Sequence, residues 1–112
     1  MPKTKEKNTQ KVYILVSTSR DGKKFASNLK NCFVVDIPKI IKELGYLNRE
    51  IRRESEFIIS TQIERKLRQG IYSNKNGNLV IINPDSNVNF EENIRIFLFE
   101  NTDGFIIEVI NL

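Results

Sequence analysis

The sequence has no histidine, no tryptophan and a single cysteine, Cys32, among its 112 residues. Without histidine there is no base for a Ser-His or Cys-His catalytic pair, and a transition-metal site lacks its usual ligands. One cysteine excludes a disulfide framework within the chain, and we interpret Cys32 as a small apolar core residue. No apolar run approaches the roughly 18 residues that span a bilayer, and the first residues lack the apolar stretch typical of a signal peptide. We therefore expect a small, reduced, cytoplasmic domain with no membrane contact and no metal site.

What the chain does contain is typical of one folded domain. Hydrophobic residues make up 39% of the sequence and charged residues 29%, as in ordinary globular proteins. A chain of this length can bury one modest core. Residues 1–10 are polar and have no periodicity, so we predict a flexible basic tail followed by a single domain over residues 11–112.

Charge is distributed unevenly along the chain. Residues 1–77 carry 17 basic and eight acidic side chains, whereas residues 78–112 carry one basic and six acidic side chains. The basic excess of the first part favours a polyanion partner such as a nucleic acid. The alternative is that the lysines and arginines only solvate a tail and the outer faces of helices.

Short apolar runs alternate with amphipathic stretches. Four runs have the length and β-rich composition of buried strands, and they cover residues 12–16, 32–35, 79–82 and 105–110. Between them, the periodicity and the capping signals predict helices over residues 23–29, 37–44, 48–69 and 90–103. This alternation predicts an α/β domain, a small parallel sheet of about four strands with helices on both faces.

The loop after the first predicted strand holds part of a phosphate-binding P-loop. In the pattern GxxxxGK[ST], glycines let backbone N–H groups wrap the phosphates, the lysine reaches the outer phosphates, and the hydroxyl holds magnesium. Gly22 and Lys23 keep this spacing, but Ser17 replaces the first glycine and Lys24 replaces the hydroxyl residue. The alternative is that Gly22 only eases a turn into the next helix.

The ends of the next two predicted strands carry acidic residues. Asp36 ends the second strand and is followed three residues later by Lys39, and residues 85–89, which read DSNVN, follow the third. A helix that begins Phe90-Glu91-Glu92, then Gly104 and a last strand complete the pattern. Together with the P-loop remnant, residues 11–112 resemble the kinase domain of bacteriophage-type polynucleotide 5′-kinases, a branch of the P-loop kinases.

The resemblance implies a role for each matching residue. Asp36 would be the catalytic base that accepts the proton of a 5′-hydroxyl, and Lys39 would replace an arginine that helps to hold the substrate. Gly22 and Lys23 would cradle the phosphates of ATP, and Asp85 would lie near magnesium or the nucleotide. Each residue also has a purely structural alternative: Asp36 is a good N-cap, and residues 85–87 could only cap the following helix.

The sequence departs from the family pattern at positions that the kinase reaction needs, and these departures determine which function we expect. The P-loop is eroded at Ser17 and Lys24, and the chain ends before the lid segment whose arginines the family uses over the phosphates. We therefore expect a catalytically degenerate domain that binds a nucleic acid, a nucleotide or a host protein. One alternative is an active minimal polynucleotide 5′-hydroxyl kinase that uses ATP and magnesium. Another is a modifier that binds a host enzyme and has no ligand site.

A basic stretch before and within the third predicted helix is the candidate nucleic-acid surface. Arg49, Arg52 and Arg53 lie there, interleaved with glutamates. The alternative interpretation is a solvated helix face with i,i+4 ion pairs. The sequence does not indicate an oligomeric state.

Overall fold

The computed structural model describes residues 6–7, 10–74 and 76–112, in which strands and helices alternate as predicted. The strands are β1 (Glu6–Lys7), β2 (Lys11–Val16), β3 (Cys32–Asp36), β4 (Asn78–Asn83), β5 (Thr102–Asp103) and β6 (Ile106–Asn111). The helices are α1 (Ser19–Ala26), α2 (Ile37–Glu43), α3 (Arg53–Ser73) and α4 (Phe90–Asn101). None of these helices has the length and apolar character needed to cross a membrane.

Four strands form one parallel sheet in the order β3-β4-β2-β6. Val12 of β2 is in register with Leu79 of β4 on one side and with Ile107 of β6 on the other. Strand β2 therefore lies inside the sheet, and β3 and β6 are its two edges. Because all four strands are parallel, their carboxyl ends lie on the same side of the domain. The predicted α/β class with about four parallel strands is confirmed.

Two clusters of buried side chains pack on opposite faces of this sheet. The larger cluster joins the sheet to α2, α3 and α4, and the smaller one joins it to α1. Successive strand residues point to opposite faces, so Ile81 belongs to the larger cluster and Ile82 to the smaller one. The continuous apolar runs in the sequence thus reflect strands that are covered on both faces.

Helices α2 and α4 follow the sequence rules. Asp36 caps α2 by accepting a hydrogen bond from the Lys39 N–H, and Gly45 after the helix has a φ of 86°, a conformation that favours glycine. In α4, the buried side chains recur at a helical period despite the strand-like composition of the segment. The helix ends at Asn101, because Thr102 and Asp103 form β5 instead of a last helical turn.

Helix α1 begins at Ser19, not at residue 23, so the predicted boundary is wrong. The cause is Thr18, whose Oγ1 accepts a hydrogen bond from the Asp21 N–H and thereby starts the helix. Gly22 consequently lies inside the helix, where its N–H donates to the Thr18 carbonyl. A Cβ at this position would lie 2.5 Å from Cγ1 of Ile82, so the close approach of α1 to the sheet, not a turn, requires glycine.

Helix α3 begins at Arg53, not at residue 48, and continues through Gly70. Before it, the Asn87 side chain accepts a hydrogen bond from the Ile51 N–H at 3.1 Å and donates one to the Ile51 carbonyl at 2.8 Å. These bonds hold Ile51 outside the helix. Gly70 does not end the helix; a Cβ there would lie 2.7 Å from the Phe33 ring, so its glycine lets α3 lie close to β3.

Within the predicted flexible basic tail, Glu6–Lys7 forms β1 and pairs in parallel with β5. Gln10, the last residue of the predicted tail, is buried, and its Nε2 donates to the carbonyls of Gly70 and Asn74. The remainder of the predicted tail, residues 1–5 and 8–9, lies outside the described residues.

Candidate functional site

The carboxyl ends of the parallel strands open into a crevice of about 720 Å³, which we call the edge crevice. Val16, Pro84 and Leu112, which lie at or beyond strand ends, line it together with residues 17–19 and Arg49. Ligands of open parallel sheets bind outside the carboxyl ends of the strands. The volume is also within the range of small-molecule sites. The edge crevice is therefore the first place to look for a function.

A second groove of about 520 Å³ lies beside the edge crevice, and we call it the lysine groove. The two cavities share Ser19, Pro38 and Asn48. The charged side chains that line the lysine groove carry a net charge of +2, and they are Lys23, Lys39, Lys42 and Asp36. Tyr46 adds an aromatic ring to the same surface. A groove of this composition favours an anionic ligand.

Asp36 is the buried carboxylate of the site, with 9% of its surface exposed. Its Oδ1 accepts hydrogen bonds from the Ser19 hydroxyl at 2.7 Å and from the Lys39 N–H at 3.2 Å. Its Oδ2 is buried and has no hydrogen bond among the described residues. The Lys23 ammonium lies 3.6 Å from Oδ2, an ion-pair distance that is too long for a hydrogen bond. Because buried oxygens are normally hydrogen-bonded, Oδ2 is an unsatisfied acceptor beside the Lys23 ammonium.

A second buried oxygen that has no hydrogen bond to any described residue lies at the end of the neighbouring strand. It is Oδ1 of Asn83, the last residue of β4. By the alternation of strand residues, Asn83 and Asp36 belong to opposite faces of the sheet. Both strand ends therefore carry an acceptor at the side of the domain where the edge crevice lies.

The beginning of α1 adds donors to the Asp36 site. Thr18 satisfies the Asp21 N–H, and helix geometry leaves the N–H groups of Ser19 and Arg20 without an intrahelical acceptor. Free N–H groups at a helix N-terminus attract anions, aided by the helix dipole. Ser19 lines both cavities and therefore lies between the edge crevice and the lysine groove, whereas Arg20 lines neither.

The structure brings Lys23 and Asp36 together and leaves other predicted residues apart. Lys39 lines the lysine groove, but its ammonium faces Glu43 at 3.8 Å. Gly22 lines neither cavity, and its amide already donates within α1. Its expected place among phosphate-binding amides is thus not realised in this conformation.

Asp85 lies on the wall of the edge crevice and forms an ion pair with Arg49. Both side chains are exposed, and the pair links the loop after β4 to the connection between α2 and α3. Arg52 and Arg53 lie at the start of α3 and do not line the edge crevice. The three arginines of the predicted nucleic-acid surface are therefore divided between the crevice wall and the helix start.

Ser86 and Asn87 do not cap α4, contrary to one interpretation of the sequence. The Ser86 hydroxyl donates to the Asn48 carbonyl, and the Asn87 amide holds the backbone of Ile51. The N-cap of α4 is Asn89, whose side chain makes no capping bond. The loop after β4 instead fixes the wall of the edge crevice.

Sequence reasoning missed Ser19, Lys42 and Tyr46 as site residues. Ser19 lies just beyond the end of a predicted strand, and that position is the one sequence signal that points to it. Lys42 lies one helical turn after Lys39, so the period of α2 already placed the two lysines on neighbouring positions. Nothing local in the sequence marks Tyr46.

The described part of the chain contains no group of three or more Cys, Asp or Glu side chains placed to hold a metal ion. Comparisons of the chain with protein-family models, with curated proteins and with solved structures found no match.

Proposed function

We propose that this chain is a degenerate relative of the P-loop kinases, of the bacteriophage polynucleotide 5′-kinase type, that binds a phosphate-bearing ligand without transferring a phosphoryl group. The observation that carries the proposal is the buried Oδ2 of Asp36, an acceptor without a hydrogen bond beside the Lys23 ammonium. The parallel α/β fold is compatible with that family. The proposal includes the setting that the resemblance implies, a phage-encoded protein in the cytoplasm of its host.

The connection between β2 and α1 supports binding over phosphoryl transfer. Only Ser17 and Thr18 separate the strand from the helix. A P-loop needs a longer run of backbone N–H groups to surround the phosphates. Positioning and charge stabilisation provide nearly all the catalysis of phosphoryl transfer. A domain without that phosphate-binding loop should therefore be a poor kinase even if ATP reaches the edge crevice.

The groups around Asp36 support a ligand that has both an anionic and a hydroxyl part. Lys23, Lys39 and Lys42 line the lysine groove, with Lys39 also facing Glu43, and the Ser19 amide offers a donor next to them. The Asp36 carboxylate repels a phosphate but accepts a hydrogen bond from a hydroxyl. A nucleotide, or the 5′-hydroxyl end of a nucleic acid strand, meets both requirements.

Titrations of two ligands test the proposal: magnesium-ATP, followed by calorimetry, and a single-stranded DNA dodecamer labelled at its 3′ end, followed by anisotropy. We expect Lys23→Ala to weaken the binding of whichever ligand binds by about tenfold, or about 1.4 kcal/mol. Lys24→Ala is the matched control, because Lys24 is exposed on α1 and lines neither cavity. Concentrations of about 1 mM ATP and about 100 µM DNA are high enough to detect weak binding. If neither ligand binds at these concentrations, the proposal is contradicted.

The role of Asp36 has its own readout. A dodecamer with a 5′-hydroxyl should bind more tightly than the same dodecamer with a 5′-phosphate, because the carboxylate accepts from the former and repels the latter. Asp36→Asn keeps the helix cap but removes the charge, so this preference should disappear. Equal affinities for the two oligonucleotides in the unaltered protein would remove Asp36 from the site.

A kinase assay separates the proposal from its two alternatives. Phosphorylation of a 5′-hydroxyl end that depends on Lys23 and on magnesium would establish the active minimal kinase and end the degenerate interpretation. Binding of neither ligand, together with a defined complex with a host enzyme, would favour the modifier.

A further inference from the structure

Strand β6 is an edge of the sheet that exposes apolar side chains on both of its faces. It pairs with β2 on one side, and no other strand in the described part of the chain lies on the other. Ile106 is 66% exposed, Val109 38% and Leu112, just after the strand, 54%. Exposed apolar residues scattered singly are ordinary, but a cluster along one strand marks an interaction surface.

The outer side of β6 also carries hydrogen-bonding groups of the backbone. The N–H groups of Ile106 and Leu112 donate to the carbonyls of Gln10 and Val16, towards β2. In a parallel strand, successive residues direct their N–H and C=O groups to opposite sides of the strand. The N–H and C=O groups of Ile107, Val109 and Asn111 therefore point away from the sheet. These three alternate residues can therefore form backbone hydrogen bonds with an added strand.

The features that usually protect an edge strand do not occur in β6. Proteins block exposed edges with lysine, proline, bulges or very short strands. Strand β6 has six residues, reads IIEVIN and contains no lysine, proline or glycine. Its one charged residue, Glu108, is 3.0 Å from the Lys11 ammonium, and the hydrogen bond between them raises the pKa of Lys11. Charge on β6 is thus compensated within the chain.

The surroundings of this edge are acidic. Residues 90–112 contain one basic and five acidic side chains, and the basic one, Arg95, pairs with Glu91. Ile96 and Glu100 of α4 line a groove with Ile107 of β6. Glu92 lies one helical turn before Ile96 on the same face of α4, and Glu92, Glu100 and Asp103 are all exposed. A second copy of the chain would bring a surface of the same sign against this one, whereas a basic segment would be attracted to it.

We propose that β6 binds an extended segment of a partner protein, in which apolar residues alternate with lysine or arginine. The segment would add a fifth strand to the sheet. Its backbone would bond to Ile107, Val109 and Asn111, its apolar side chains would cover Ile106 and Leu112, and its basic side chains would face the surrounding carboxylates. This inference does not depend on the proposed ligand of the edge crevice, which lies at the carboxyl ends of the strands.

Two capped nonapeptides test the proposal against the full chain. One alternates valine with lysine and the other alternates valine with glutamate. In ¹H–¹⁵N spectra, the lysine peptide should shift the amide resonances of residues 106–112, with a Kd of about 0.1 mM, and the glutamate peptide should not. Glu92→Lys combined with Glu100→Lys should weaken the lysine peptide at least tenfold and permit the glutamate peptide to bind.

Val109→Pro provides an independent variant. The Val109 N–H points outward, so proline there removes a donor to the added strand but none to β2. It should abolish binding of the lysine peptide, while Val109→Ala should retain it, and an unchanged spectrum outside β6 verifies the fold.

Three results would overturn the proposal. The first is equal binding, or no binding, of the two peptides to the unaltered chain. The second is binding of the lysine peptide that survives both the proline variant and the charge reversal. The third is a concentration-dependent dimer in sedimentation that Val109→Pro converts to monomer, which would make a second copy the occupant of this edge.

Discussion

The two edges of the sheet differ in the exposure of their side chains and in the sign of the charges beside them. At the β3 edge, Val35 is 1% exposed, α3 packs closely through Gly70, and the side chains of Lys39 and Lys66 flank the strand. At the β6 edge, Val109 is 38% exposed and the nearby charges are mainly acidic. One edge is covered and basic, whereas the other is open and acidic.

Because of this difference, one small sheet carries a basic surface at its β3 edge and a separate acidic surface at its β6 edge. Lysines beside an edge strand discourage pairing with other strands, and at β3 Lys39 also contributes to the lysine groove. The residues that protect that edge thus also attract anions. The β6 edge lies across the sheet from this basic surface, and Leu112, which also lines the edge crevice, is the point at which the two surfaces meet.

The largest expected effect is at the covered edge. Gly70→Val should lower the free energy of unfolding by about 3 kcal/mol, because the new side chain would push α3 away from Phe33 and Leu79. Urea unfolding measures the change. Gln69→Val, at an exposed position of the same helix, is the control and should shift the unfolding free energy by less than about 0.5 kcal/mol. Similar values for the two variants would show that the close approach at Gly70 is not needed.

Valine residues on both edge strands allow a matched test. Val35→Ala should cost about 2 kcal/mol, because it leaves a cavity in a packed region, whereas Val109→Ala should cost less than about 0.5 kcal/mol. Urea unfolding of the two variants side by side gives the difference. If Val109→Ala costs as much as Val35→Ala, the β6 edge is packed in solution and the contrast fails.

Asp36 at the end of β3 should contribute to stability through its cap. Asp36→Ala removes the acceptor of the Lys39 N–H and of the Ser19 hydroxyl, so we expect a loss of about 1–2 kcal/mol in thermal or urea unfolding. Asp36→Asn retains a capping oxygen and should lose less than half as much. Equal losses would indicate that the charge of Asp36, and not its cap, stabilises this corner of the domain.

The smallest expected effect concerns Cys32, at the first residue of β3. Burial raises the pKa of its thiol because the thiolate is poorly solvated there. At a given pH the folded protein therefore holds less thiolate than an exposed cysteine does. Alkylation by iodoacetamide at pH 8 should be slower than for the same protein in urea, and its pH profile should lie at higher pH. An equal rate in the two states would place Cys32 in solvent.

Local patterns predicted the parts of the fold whose causes are local. The period of α4 and the Asp36 cap of α2 lie within one segment, so the sequence alone could identify them. The start of α1 was mistaken because Thr18 and Gly22 both offer plausible boundaries, and the choice depends on Ile82 of β4 packing against Gly22. The same limit applies to α3, where Asn87, 36 residues further along the chain, determines the conformation of Ile51.

The candidate site depends still more on tertiary structure. The roles of Asp36 and Lys23 are predictions from a family resemblance, and the fold brings the two side chains within 3.6 Å of each other. The hydrogen bond from Ser19 to Asp36 joins the ends of two strands that do not pair with each other. No pattern in the sequence specifies the strand order, so the hydrogen bond between Ser19 and Asp36 could not be predicted.

The central position of β2 has a consequence for the route by which the chain folds. Lys11 at its start pairs with Asn78 on one side and with Ile106 on the other. Both neighbours thus belong to the last third of the sequence, and the loops that must close are long. A topology dominated by such distant contacts folds slowly for its size. During synthesis on the ribosome, the first long strand to emerge is therefore left without either neighbour until most of the chain has followed it.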